Sequence, residues 1–444
     1  MVARGSDSFW VAHLLRRAGF GYTPAELARY KSLGYQGALT ELLYPETIDN
    51  SYCEGRIRQQ GVFDFSNPGD LKRWWMYRML YTARPLEEKI TLFWHGHFAT
   101  ADFKVRNPQA MYAQNQTLRR YALGNFNTLL QNVSIDPAMI VWLDNQQNVK
   151  GKPNENYARE IMELFTMGIG NYTEGDIKEA ARAFTGWQTR NNAYYFNAAQ
   201  HDEGTKSVLG VSGNLNGDDV INLLAKQKAT ARFLSKKLLK FFAYDDPDDA
   251  MVNKIADVYL SNTYQIRPML KAIFTDPSFF STKAYHAKVK SPVELVIGTL
   301  KTLQIQRIDG DLPNIMAAMG QNIFDPPSVK GWDGGPAWIS SETMMERFNF
   351  ATRISSEKFN EAESRFSPSQ IVYRQGLKNV NDMVDYFLNL LVDNDVPASA
   401  RTRLVEYVSH KSGGESAVLD ERMLDAKLRG VVHLIMTLPS YQLS

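Results

Sequence analysis

The chain reads as a mainly α protein: a multi-helical array with one small β-hairpin and one long Pro/Gly-rich loop. Three observations predict this. Apolar residues recur at helical spacing along most of the 444 residues. Helix-start signals accompany them, as in Thr23-Pro24-Ala25-Glu26, where Thr caps, Pro opens the first turn and Glu completes a capping box. A strand-like pattern is confined to the neighbourhood of 194–210.

Taken in order, Asp70 to Ala101 predicts two consecutive helices, broken at Ala83-Arg84-Pro85 and with the second ending near His95. Further helices are predicted over 108–123, 125–133, 153–167, 174–187, 217–242, 248–261, 266–275, 291–304, 341–354, 379–391, 397–409 and 419–437. Tyr194-Tyr195-Phe196, a polar loop through Gln200–Lys206, and Ser207–Gly210 predict the hairpin. Phe324 to Pro336 is too rich in Pro and Gly for a helix, and loops of this length often carry function. The stretch 355–378 is polar and weakly patterned. A main helical domain over 1–354 and a C-terminal helical lobe over 355–444 are therefore expected, unless the two run together as one domain. There is no internal repeat.

Composition narrows the function classes. With 50 basic and 48 acidic residues the net charge is +2, which gives no general attraction to nucleic acid or anionic lipid. The run Lys236-Lys237-Leu238-Leu239-Lys240 reads as a solvated helix face. Cys53 is the single cysteine, so neither an intrachain disulfide nor a cysteine-based zinc or iron–sulfur site can form. No run approaches the roughly 20 apolar residues of a membrane span. Met1–Ser8 lacks the apolar centre of a signal peptide, which leaves a cytoplasmic protein or one whose leader is absent from this chain. Phosphate-loop, dinucleotide, Gly-x-Ser-x-Gly and His-Glu-x-x-His motifs are missing, as is Glu-x-x-His. No nucleotide, haem or iron–sulfur cofactor is expected.

Four features could carry chemistry. His95-Gly96-His97 pairs two of the seven histidines, and Gly96 could let both rings enter one pocket as metal ligands. The alternative is one core ring and one exposed ring. In Pro153–Phe165, Glu160 and Glu163 share a helix face beside Asn156, where they could bind one cation or act as an acid/base pair. Ordinary surface pairing of Glu155, Arg159 and Glu163 is the competing account. His201-Asp202, with Lys206, could be a ligand or base with its orienting acid, or simply a polar turn. Trp187, Trp332 and Trp338 occur in or beside Gly-containing segments and could stack on a sugar, although core packing is the usual fate of Trp.

These segments also carry a family resemblance. His13–Gly21, Phe93–Phe98, Pro153–Glu160, Ala183–Trp187, Gln200–Asp202, Pro326–Trp332 and Ser440–Leu443 occur in the order that marks the bacterial family called domain of unknown function 1800. The resemblance covers roughly residues 10 to 443, and the family has no established activity to carry over. It implies a predominantly helical protein in an extracytoplasmic (periplasmic or secreted) setting. It also implies a companion of the alkaline phosphatase/sulfatase-like kind. The family's usual Phe-Trp-His-Asn-His-Phe stands here with Gly96 in place of Asn. Its polar motif positions fall on His13, Arg16, His95, His97, Asn154, Glu155, Arg159, Glu160, Glu163, His201, Asp202, Lys206 and Lys330.

The resulting expectation is an exported hydrolase acting on an extracellular glycan. Glu160, Glu163, His201 and Asp202 would be catalytic, and His95 and His97 would hold a divalent metal ion. Arg16, Arg159, Lys206 and Lys330 would bind substrate polar groups, with Trp187 and Trp332 stacking on it. A metal-free form would use Glu160 or Glu163 as acid and a histidine as base. The alternatives are a non-catalytic envelope assembly or binding protein working with the phosphatase/sulfatase-like companion, and a non-haem metal oxidative enzyme.

Overall fold

A computed structural model of the chain describes residues 6–305, 312–356, 366–409 and 420–444. Among these residues it contains 22 α-helices and two two-stranded antiparallel sheets, so the protein is mainly α. The start signals act as expected. The Thr23 hydroxyl accepts from the Glu26 backbone at 3.1 Å while the Glu26 carboxylate accepts from the Thr23 backbone at 2.7 Å. Thr173 and Ser291 cap their helices in the same way, and the Asn67 side chain accepts from the Gly69 and Asp70 backbones, satisfying N–H groups that the first turn leaves open.

Where element bounds differ from expectation, local geometry explains it. The 217–242 pattern is two helices, Gly217–Ala225 and Lys228–Phe242, separated at the extended Gln227. The helix expected over 174–187 stops at Ala183, because Gly186 at φ +80 turns the chain into a strand. That strand, β1 (Trp187–Arg190), pairs with β2 (Ala193–Phe196); Trp187 lies opposite Phe196. A second hairpin joins β3 (Lys206–Val208) to β4 (Val211–Gly213). One expected hairpin is thus two. The turn residues decide the pairing: Asn191-Asn192 and Leu209-Gly210 all have positive φ, as two-residue hairpin turns require.

The described chain divides into two compact units. One comprises Met1–Tyr35, Tyr285–Gln321 and Gly334–Ser444; the other comprises Gln36–Ala284 and Asn322–Asp333. The lobe expected from 355 onward is not separate: the Ser341–Ser355 helix packs on the Glu421–Met436 helix within the first unit. Arg347 reinforces this by donating to the Gln442 side chain at 3.1 Å and the Lys290 carbonyl at 2.8 Å. Among the described residues no helix is long and apolar enough to cross a membrane.

The second unit is organised around the Pro85–His97 helix, which is buried on almost every side. Glu88 lies fully inside, where burial alone would raise its carboxyl. Arg119 and Arg78 hold it at about 2 instead, through contacts of 2.6 and 2.7 Å, and Trp75 donates at 2.9 Å. Cys53 sits nearby, completely buried, its thiol pushed up to about 12 by burial. The Asn322–Asp333 segment docks against the same helix with Gly331 (φ +81) facing Gly96. A Cβ on Gly331 would lie 2.1 Å from the Gly96 carbonyl oxygen, whereas a Cβ on Gly96 would make an ordinary 3.6 Å contact with Trp332.

This asymmetry is measurable by urea unfolding. Gly331→Ala should lose roughly 2–4 kcal/mol, through a forbidden contact and a strained φ. Gly96→Ala should be neutral or gain up to about 1 kcal/mol from helix propensity. Equal stability of the two variants would contradict this docking.

Candidate functional site

His95 and His97 lie two residues apart on one helix, so their side chains leave it about 200° apart. The rings have different surroundings. His95 packs against Trp75, Phe324 and Trp332, and its Nε2 accepts the Phe324 N–H at 2.9 Å. Phe324 is a non-glycine residue at φ +65, so the imidazole secures a strained turn of the docked segment. His97 packs among Phe93, Phe98 and Phe165. Its Nε2–H donates to the Phe165 carbonyl at 3.0 Å, and its Nδ1 accepts from Lys237 Nζ at 3.1 Å. Burial lowers His95 to about 3; burial, then Lys237, takes His97 well below its usual value. Both rings are neutral at neutral pH. The pocket expected to receive both does not form, and the lone pair each ring would offer a metal ion is already engaged.

The carbonyls that His97 and Lys237 satisfy come from an unusual helix end. Asn156–Glu160 is α-helical, but Ile161–Thr166 widens into a π turn closed by Met167 N–H to the Met162 carbonyl at 2.9 Å. The last carbonyls of a helix have no partner within it. Here Phe165 receives His97, Leu164 receives Lys237 at 3.5 Å, and Met167 receives Asn171 at 3.0 Å. Glu160 and Glu163 lie on the half-exposed face of this helix. Tyr172 donates its hydroxyl to Glu163 at 3.0 Å. Partial burial, then the charge of Glu163, raises the Glu160 carboxyl. Of the expected catalytic groups, these two are brought together. Arg159, on the same helix, is held by Glu174 of the following helix at 2.8 Å and by Glu155 at 3.2 Å, and Asn154 Oδ1 accepts from the Asn156 backbone.

His201, Asp202 and Lys206 form a separate cluster at the end of the Glu174–Ala183 helix. His201 Nδ1–H donates to the Thr185 carbonyl at 2.8 Å, which leaves the lone pair on Nε2. Arg182 grips Asp202 through two hydrogen bonds, 2.8 and 3.2 Å, and these bring its carboxyl down to about 2. Lys206 is buried, its ammonium lowered by burial, and donates to the Gly204 carbonyl at 3.0 Å. Asp202 is thus an ion-pair partner of Arg182, and Lys206 holds its own loop. Among the described residues, no three His, Cys, Asp or Glu side chains converge as a cation ligand set.

The tryptophans divide. Trp187 is buried between Phe184 and Tyr194, with Gly217 so close that an added Cβ would fall 2.3 Å from the ring. It cannot stack on a substrate. Trp338 is buried too, in the first unit, whereas Trp332 is half-buried over Gly96. Lys330 is exposed and paired with the equally exposed Asp333 at 2.5 Å.

Arg16 and His13 belong to the first unit. Arg16 makes a two-pronged contact with Asp393, at 3.2 and 2.5 Å, and donates to the Tyr22 hydroxyl at 2.9 Å. Tyr285 donates to the same carboxylate at 3.2 Å, and His286 Nε2 stands 3.6 Å from it. Burial despite these partners would raise Asp393, but Arg16 and His286 keep it far below the usual carboxylate range. His13 is buried beside Tyr285, lowered by burial and then by Arg17 and Arg16. A cleft of about 630 Å³ borders this cluster, lined by Phe9, Tyr22, Leu27, Lys31, Tyr386 and Asp393 among others. Sequence reasoning missed Asp393, Tyr285 and His286, and likewise Tyr172, Arg182 and the inward role of Lys237. None of them lies in a local motif.

The profile of the family described as "Protein of unknown function (DUF1800)" matches residues 13–443. No curated protein and no solved structure matches the chain.

The geometry assigns His95 and His97 a measurable structural role. Replacing either by Ala leaves a buried backbone group unpaired and opens a cavity, which should lower the unfolding free energy by roughly 2–4 kcal/mol. Urea denaturation of the single variants checks this; unchanged midpoints would show that neither hydrogen bond supports the fold.

Proposed function

The chain belongs to the DUF1800 family of proteins of unknown function, and from its own geometry we propose that it is a metal-independent hydrolase acting on an extracellular glycan. The observation that carries the reading is the Glu160–Glu163 pair on the π-turn helix. Two neighbouring carboxyls, one of them raised, can serve acid/base hydrolysis of a glycosidic bond. Burial and Glu163 favour the protonated form of Glu160, which delivers a proton to the leaving oxygen. Tyr172 donates to the Glu163 carboxylate, which takes a proton from the attacking water. The Tyr172 ring, half-buried beside Glu163, replaces Trp187 as the aromatic surface for a sugar. The extracytoplasmic setting and the phosphatase/sulfatase-like companion belong to the same proposal, and rest on the family resemblance alone.

A second reading, a non-catalytic assembly or binding protein, is favoured by one observation. His95, His97 and Lys206 are each tied to backbone groups inside the fold.

Release of reducing ends from peptidoglycan, xylan, dextran and mixed-linkage β-glucan separates the two. On the hydrolytic reading at least one polymer is cut, and Glu160→Gln and Glu163→Gln each lower kcat by about 10²–10⁴ without loss of fold. The pH profile is bell-shaped. Its alkaline limb reflects ionisation of Glu160 and lies above the ordinary glutamate range, because that carboxyl is raised. No release from any polymer gives the case to the assembly reading, and wild-type rates in both variants would overturn the role given to Glu160 and Glu163.

A further inference from the structure

Lys237 differs from the other lysines of its helix. Lys236 and Lys240 are exposed, as a solvated basic face should be, but Lys237 turns inward and is half-buried. Its Nζ donates to His97 Nδ1 at 3.1 Å and to the Leu164 carbonyl at 3.5 Å, and stands 5.0 Å from the centre of the Phe233 ring. Neither hydrogen-bond partner is an anion. Among the described residues no carboxylate pairs with this amine, and the charged group acting on it is a second cation, Lys330. A buried ammonium normally has a counter-ion. Without one, and beside a like charge, the balance moves toward the neutral amine; burial first, and then Lys330, lower this group to about 8.

The imidazole sets the direction of the amine. Because the Phe165 carbonyl can only accept, His97 carries its proton on Nε2 and offers Nδ1 to Lys237. His97 is therefore a positioning residue: it fixes Nζ at the edge of the π turn, with Lys330 and its exposed Asp333 partner on the solvent side. An exposed ion pair such as Lys330–Asp333 contributes little stability, so an incoming anion can compete for Lys330.

We propose that Lys237 is a nucleophilic amine that forms a Schiff base with a small carbonyl compound carrying a carboxylate, such as a 2-oxo acid or glyoxylate, with Lys330 receiving the carboxylate. The inference is independent of the Glu160–Glu163 pair. The step balances without any further reagent. The ammonium releases a proton to water, and the amine lone pair attacks the carbonyl carbon. The carbonyl π electrons move to oxygen, which takes a proton from solvent and gives a carbinolamine. Nitrogen then gives up one proton to solvent while the hydroxyl takes a second, and the nitrogen lone pair expels that oxygen as water, leaving the protonated imine. In sum, one ammonium and one carbonyl give one iminium and one water, with no change of oxidation state.

The test uses the intact wild-type protein, glyoxylate and sodium cyanoborohydride at pH 7.5, with peptide mass spectrometry to locate the reductively trapped adduct. Lys236 next in the chain is the internal control, because it is exposed on the same helix. Lys237 should be modified roughly tenfold or more faster than Lys236, because its Nζ is held by uncharged partners and Lys330 receives the carboxylate. The preference should narrow when neutral propionaldehyde replaces glyoxylate, and again with glyoxylate in Lys330→Gln. Lys237→Arg should lose the fast-reacting site while the slow modification of Lys236 continues. Equal rates at Lys236 and Lys237 in the wild-type protein would overturn the proposal. A fast Lys237 with no preference for glyoxylate would overturn the role given to Lys330.

Discussion

The second unit depends on one requirement: two stretches of backbone that leave regular geometry inside the protein must find hydrogen-bond partners there. One is the π turn at Ile161–Thr166, whose carbonyls face inward. The other is the Phe324 turn, whose N–H faces the core. An unpaired buried backbone group costs about 1–3 kcal/mol. One helix meets both needs, with His95 on one side and His97 on the other. Two histidines so close together in sequence suggest a metal site; their 200° separation makes them instead two clamps that hold distant segments to a common axis.

Much of the fold was legible because it is written locally. Helical periodicity and capping residues located most helices within a few residues, and Pro85 marked the break before the central one. What escaped was set by tertiary contacts or by conformations with weak sequence signatures. Nothing in Ile161–Thr166 announces a widened turn. The sequence pattern pairs Tyr194–Phe196 forward with Ser207–Gly210, whereas the Asn191-Asn192 turn pairs it back to Trp187.

The candidate site was legible as a set of residues but not as an arrangement. Glu160 and Glu163 meet because they share one helix face, which spacing reports directly. His201 and Asp202 are joined to Arg182 and Thr185 through a loop whose path no pattern reveals. Lys237 was read with its neighbours as surface charge. That reading suits Lys236 and Lys240 and fails for the one residue whose direction on the helix points to His97. Arg16 finds Asp393 377 positions away, a partnership beyond local reading.

The lone sulfhydryl has a practical consequence. Cys53 is sealed from solvent and its thiol is held protonated, so it resists alkylation while the fold persists. The native protein therefore offers a silent background for maleimide chemistry. A single cysteine introduced on the surface can carry a fluorophore or nitroxide at one known address, and two can report distances across the unit that the paired imidazoles hold together.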